Sequence, residues 1–127
     1  MKNVRFYKCE TCGNIIVKLE DSKVPVMCCG KPMVEIIPGT TDAAVEKHVP
    51  VVTVEGSKVK VEVGSVEHPM VEEHWITFVV LETCKGFQVK YLSPSEKPVA
   101  EFVLAEGECA KAAYEYCNLH GLWKAEI

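Results

Sequence analysis

The chain is 127 residues long, 48% hydrophobic and 25% charged, with a net charge of −4 at neutral pH. That size buries one core, or one core and a small module, and the negative balance offers no basic footprint for nucleic acid. No stretch approaches the roughly 20 apolar residues of a membrane span, and Met1-Lys2-Asn3-Val4-Arg5 leads into a cysteine pair, not an apolar signal core; the expected setting is cytoplasmic, with no membrane partner.

The first element is a knuckle, Cys9-Glu10-Thr11-Cys12-Gly13-Asn14. Two thiolates two residues apart reach one metal ion, and Gly13 permits the tight turn that aims backbone N–H groups at sulfur. Fifteen residues separate Cys12 from the second pair, Cys28-Cys29-Gly30-Lys31-Pro32. The interval accommodates a strand at Ile15–Leu19, a turn at Glu20-Asp21-Ser22 and a return. Cys9, Cys12, Cys28 and Cys29 then close around one ion, in a site distorted by its adjacent ligands. A segment this short, below roughly 40 residues, cannot fold on its core alone, so metal binding supplies the missing free energy. Spacing does not decide iron against zinc. An odd total of seven cysteines agrees with ligands and free thiols better than with a disulfide framework.

After a linker at Pro38-Gly39-Thr40-Thr41-Asp42 the pattern changes to strands. Val49–Val54 and Lys58–Val63 flank Glu55-Gly56-Ser57 as a hairpin, the second run alternating polar and apolar. If Val54 faces Lys58 or Val59, His48 lies opposite Gly64 or Ser65, and the chain toward His68 starts beside it. Further runs are His74–Glu82, Phe87–Leu92, Val99–Leu104 and Leu122–Ile127. Cys109–Tyr114 is rich in alanine, which favours helix, but its neighbours are β and it is read as a strand. The sum is a β-sandwich of about seven strands. The glutamates and Asp42 read as solubility residues.

Only four histidines occur, His48, His68, His74 and His120, the last three residues after Cys117. Imidazole and thiolate are the side chains best suited to first-row transition metals. Four nitrogens and one sulfur make a five-coordinate shell with one open face, unlike the closed four-ligand shell of structural zinc. A redox metal with a substrate position fits that count. Each ligand falls where a strand begins or ends, at chain turns where distant residues converge. Lys47, beside His48, is a candidate cation for drawing a small anion to the open face of a negatively charged protein.

The ordered motifs Cys9-x2-Cys12-Gly13-Asn14, Cys28-Cys29-Gly30-x-Pro32-Met33, Glu46-Lys47-His48-Val49-Pro50, Gly64-Ser65-Val66-x-His68-Pro69-Met70, His74-Trp75-Ile76 and Tyr116-Cys117-Asn118-Leu119-His120-Gly121-x-Trp123-Lys124 resemble the desulfoferrodoxins, two-iron superoxide reductases, nearly end to end. No ligand position departs from the family pattern. The resemblance implies a desulforedoxin-like iron domain over residues 1–37, a linker over 38–44 and an immunoglobulin-like catalytic sandwich over 45–127. It implies iron at Cys9, Cys12, Cys28 and Cys29, and a catalytic non-haem iron with His48, His68, His74 and His120 equatorial and Cys117 axial. It also implies that Glu46 closes over the ferric iron, that the protein is a homodimer, and that a donor such as rubredoxin supplies electrons for reducing superoxide to hydrogen peroxide.

Two cysteines remain, Cys84 and Cys109, which read as structural thiols. Met70 and Trp75 read as packing around the second site. Electron carriage with a structural second site, a zinc-stapled interaction module, and superoxide dismutation are the competing readings.

Overall fold

Cysteine pairs organise the first of two compact units, which divide at Ile37 and Pro38. The computed structural model describes residues 3–39, 45–64 and 68–127; the side chains of Val45 and Glu46, the linker residues Thr40, Thr41 and Asp42, and Ser65 beside the hairpin lie outside that description. In the first unit, β1 (Phe6–Lys8) runs antiparallel between β2 (Ile15–Val17) and β5 (Val34–Ile36), while β3 (Met27–Cys28) and β4 (Lys31–Pro32) form a separate hairpin closed by Cys29-Gly30.

The expected strand over Ile15–Leu19 therefore ends two residues early, and it pairs with β1, not with a returning strand. Local polar contacts explain the stop. The Lys23 N–H donates to Asp21 Oδ1 at 2.8 Å, an Asx turn that holds Lys23 at φ 69°, and Lys18 Nζ reaches the same carboxylate at 3.4 Å. Among the described residues of this unit only Phe6 and Cys9 are buried. One buried aromatic contributes about 1.5–3 kcal/mol, against about 10–16 kcal/mol for a closed structural metal site. The metal term decides whether this unit folds.

The second unit opens with a one-turn helix, α1 (Val45–His48), followed by β6 (Pro50–Glu55) and β7 (Lys58–Val63). The hairpin register is Val54↔Val59 through Pro50↔Val63, and the Gly64 N–H continues it by donating to the Val49 carbonyl at 3.1 Å. Val59, Val61 and Val63 are buried while Lys58, Lys60 and Glu62 face solvent, as period-two alternation requires. The remaining strands are β8 (Ile76–Thr83), β9 (Gly86–Tyr91), β10 (Val99–Val103), β11 (Ala110–Cys117) and β12 (Gly121–Glu126). Two antiparallel sheets, ordered β10-β7-β6 and β12-β11-β8-β9, make the immunoglobulin-like seven-stranded sandwich.

Val79, Leu81, Phe102 and Ala113 share the core between the sheets with the β7 valines. The alanine-rich segment is a strand because β8 and β12 flank it on both sides. From Ala112 to Cys117 every residue is buried, so tertiary pairing outweighs helix propensity. Not every glutamate is a solubility residue. Glu115 is fully buried, and Glu82 is buried with Oε1 accepting from the Tyr114 hydroxyl at 3.0 Å. Among the described residues, no helix is long and apolar enough to cross a membrane.

Candidate metal centres

In the first unit the sulfurs of Cys9, Cys12, Cys28 and Cys29 all lie within 4.8 Å of one another. The knuckle is tied by Cys9 N–H to the Asn14 carbonyl and Gly13 N–H to the Cys9 carbonyl, both at 2.9 Å, with Gly13 at φ 85°. The Cys12 N–H points at Cys9 Sγ, 3.5 Å away, and Asn14 Nδ2 donates to Cys28 Sγ at 3.7 Å. On the other side Cys29 takes φ 52° and Gly30 φ 74°. A left-handed cysteine is unusual, and it lets two adjacent residues present sulfur to one point.

Metal–thiolate bonds of about 2.3 Å at tetrahedral angles place sulfurs about 3.8 Å apart, and Cys12 Sγ and Cys28 Sγ are 3.6 Å apart. The thiols also hinder one another's ionisation. Cys9 is drawn down to about 6, chiefly by the Cys12 N–H, whereas Cys28 is pushed up and Cys29 reaches about 12, both first through the neighbouring Cys12 side chain. A cation would let all four ionise together, so the cluster fits a metal ion.

The second donor set lies at one end of the sandwich. His48 ends α1, His68 follows β7, His74 precedes β8, and Cys117 and His120 bracket the turn between β11 and β12. The expectation that every ligand adjoins a strand end holds for Cys117 and His120 and is corrected elsewhere: the helical turn α1 delivers His48 two residues before β6, His68 comes five residues after the end of β7, and His74 stands two residues before β8 instead of opening it. His74 is set by reciprocal 3.0 Å hydrogen bonds between its backbone and that of Val71.

The four imidazoles form a square. Neighbouring ring centroids are separated by 4.6 Å (His48–His68), 4.7 Å (His68–His74), 4.9 Å (His74–His120) and 4.8 Å (His120–His48), and the His48–His74 diagonal is 6.4 Å. Neighbouring rings stand at 78° to 87° to one another. His48 Nε2 lies 3.0 Å from His68 Nε2 and 3.1 Å from His120 Nδ1, and His74 Nε2 is buried with no partner among the described residues. Metal–nitrogen bonds of about 2.1 Å at right angles separate neighbouring donors by about 3.0 Å. The crowding and the orphaned nitrogen are what a metal ion at the centre of the square removes.

Cys117 is fully buried, its Sγ 3.8 Å from His120 Nδ1. Burial pushes its thiol up, and the Leu119 and His120 N–H groups pull it down. His68 is lowered to about 4, first by burial, and its Nδ1 lies 2.7 Å from the Pro69 carbonyl. An Nδ1–H donating there leaves Nε2 free as a ligand. Four imidazoles and one thiolate make a donor set suited to iron, and five ligands would leave room for a substrate on a six-coordinate ion.

Lys47 is exposed on the last turn of α1, and its charge adds to burial and the neighbouring histidines in lowering His74. The side chain of Glu46 lies outside the description. Trp123 stacks on His48 at 5.0 Å, and its Nε1 donates to the His120 carbonyl at 3.0 Å. Asn118 joins the two ligand loops: its Oδ1 accepts from the Trp75 N–H at 2.9 Å, and its Nδ2 donates to the Glu73 carbonyl at 3.1 Å. The sequence singled out neither role; a polar residue between Cys117 and Leu119 was the available signal for Asn118. Met70 Sδ accepts from the Ile76 N–H at 3.4 Å, consistent with packing around the site. Glu115, two residues before Cys117, is held up to about 9 by burial, and both carboxyl oxygens lack a partner among the described residues.

The desulfoferrodoxin family model matches residues 40–126, and the model for the desulfoferrodoxin N-terminal domain matches residues 2–36. A desulfoferrodoxin from Nitratidesulfovibrio vulgaris is 47% identical over 120 residues, covering 94% of each chain. The superoxide reductase from Treponema pallidum superposes with a TM-score of 0.83 at 39% identity, covering 98% of this chain and 100% of that one. A one-iron superoxide reductase from Giardia intestinalis matches 65% of this chain and 97% of its own, with a TM-score of 0.57 at 33% identity. Both donor sets and both halves of the chain agree with these matches: the chain belongs to the desulfoferrodoxin family.

Proposed function

We infer that the chain is a superoxide reductase, converting superoxide to hydrogen peroxide by one electron and two protons without forming dioxygen. The observation that carries this reading is the imidazole square of His48, His68, His74 and His120 with the buried Cys117 sulfur beside it. His48, His68, His74, His120 and Cys117 would hold a ferrous iron, which would supply the electron, and thiolate ligation from Cys117 would favour giving it up.

The chain's own residues do the rest. The Lys47 ammonium, close enough to act on His74, draws the anion toward the open face against the overall charge of −4 and offers a proton or hydrogen bond to the product. The Leu119 and His120 N–H groups stabilise the Cys117 thiolate and temper its donation. Glu46, one residue before Lys47 on α1, would by the family resemblance close over the ferric iron when substrate is absent.

Residues 1–37 form the desulforedoxin-like iron domain with ligands Cys9, Cys12, Cys28 and Cys29, residues 38–44 the linker, and residues 45–127 the catalytic domain. The family models meet near that boundary, which supports the division. A rubredoxin-like protein serves as donor to a cytoplasmic homodimer.

The test is donor dependence. With superoxide supplied continuously, a reductase forms peroxide only as long as a reduced donor remains. Peroxide and dioxygen formed together without a donor would indicate a dismutase, and no superoxide consumption would leave only electron carriage.

A further inference from the structure

Five of the seven cysteines belong to the two donor sets, and the other two meet at the far end of the sandwich. The β8–β11 ladder runs from Cys117↔Ile76 at the metal end to Ala110↔Thr83, and one step beyond stand Cys109 and Cys84. Eight residues of strand separate the ends by about 25 Å. The Cys84 N–H donates to the Cys109 carbonyl at 2.9 Å, and the Cys109 N–H donates to Cys84 Sγ at 3.0 Å. Directly opposed residues of an antiparallel pair have Cα atoms about 4.5–5.5 Å apart, inside the disulfide range of about 4.4–6.8 Å. Cys84 is half-buried in the two-residue turn before β9, and Cys109 is exposed.

We propose that Cys84 and Cys109 form a peroxide-oxidisable dithiol, in which Cys84 reacts first and Cys109 closes a disulfide between the β8–β9 turn and the start of β11. The hydrogen bond from the Cys109 N–H to Cys84 Sγ, 3.0 Å long, assigns the order, because it stabilises the thiolate of Cys84 and not that of Cys109. The Cys84 thiol is drawn down by the Cys109 thiol, then by the Cys109 N–H, with Lys85 adding its charge, whereas Cys109 is raised, chiefly through Cys84. Thiolate is the nucleophilic form, so Cys84 attacks and Cys109 resolves.

The Cys84 thiolate attacks one oxygen of hydrogen peroxide. An S–O bond forms, the O–O bond breaks, and the departing hydroxide takes a proton to become water. The Cys109 thiol then gives up its proton and attacks the sulfenic sulfur, so that S–S forms, S–O breaks and a second water leaves. Two thiols lose two electrons in total, and one peroxide becomes two waters. Hydrogen peroxide as the physiological oxidant rests on the reductase reading, since it is that reaction's product; a disulfide here would record product accumulation away from the metal site.

The test adds hydrogen peroxide to the metal-loaded full chain, alkylates the remaining thiols and maps the peptides by mass spectrometry. Expected is a Cys84–Cys109 cross-link, with loss of two alkylatable thiols per chain, before any other cysteine is modified, and its reversal by reductant. Cys109→Ser stops at a sulfenic acid on Cys84, trapped by a 1,3-diketone, and Cys84→Ser leaves Cys109 reacting about tenfold more slowly. Equal reactivity of the two variants, or modification of other cysteines while Cys84 and Cys109 stay alkylatable, overturns the proposal. Because peroxide is added directly, the outcome is independent of whether the chain reduces superoxide.

Discussion

The Nε2 atoms of His48 and His68 stand 3.0 Å apart at buried residues, and the opposite side of the His68 ring is anchored at the Pro69 carbonyl. The anchor makes His68 Nε2 an acceptor aimed at the centre of the square, a position a cation stabilises. His68→Ala is expected to lose about one metal ion per chain while the four-cysteine site keeps its own. Metal analysis of the purified variant checks this; an unchanged metal content would separate the histidine square from metal binding.

Asn118 ties the segment carrying His74 to the turn carrying Cys117 and His120. Asn118→Ala removes two hydrogen bonds without touching a ligand. A loss of about 1 kcal/mol in stability is expected, with metal affinity of the histidine site reduced about tenfold. Chelator competition reads the affinity, and the four-cysteine site serves as the internal control.

Lys47 provides a cation next to the histidine square in a negatively charged chain. Lys47→Ala is expected to slow the bimolecular reaction with superoxide about tenfold and to flatten its dependence on ionic strength, while Lys47→Arg keeps the dependence. Rates measured by pulse radiolysis across a salt series decide it, and identical salt slopes in the parent and Lys47→Ala would remove steering as the role of Lys47.

At the far end of the sandwich Glu108 is held below the usual carboxylate value of 4.5, first by the Thr83 hydroxyl and then by the Ala105 N–H. A lowered folded value means that the unfolded chain takes up the proton first as pH falls. The stabilisation is therefore present above about pH 4.5 and disappears as pH drops through the folded value. Denaturation of the parent and Glu108→Gln is expected to show the parent more stable at pH 7, with the difference shrinking as pH falls below about 4.5.

Much of this arrangement was legible in the residues. Lys58–Val63 alternates so cleanly that its strand bounds and buried face follow directly, and the observed Val54↔Val59 pairing is one of the two registers its turn allows. The two donor sets were readable because cysteine and histidine are scarce and ligand chemistry limits their use. Less legible was α1, since four residues are too few to display a helical period. Short β1 mixes aromatic and charged residues, and its pairing with both β2 and β5 depends on contacts distant in sequence. Asn118 acts through residues 43 and 45 positions away, which composition cannot reveal. Glu115 looked like a surface charge because alternation fails in a strand buried on both faces.

The most direct measurement is a single-turnover stopped-flow reaction of the fully reduced, metal-loaded chain with a limiting pulse of superoxide. Absorption at both metal centres is followed, and peroxide and dioxygen are counted. The expected result is oxidation of the centre held by His48, His68, His74, His120 and Cys117, with one peroxide for each superoxide consumed and no dioxygen. Oxidation confined to the four-cysteine centre throughout the reaction, or dioxygen released in proportion to the superoxide consumed, would contradict the assignment of reduction to the histidine square.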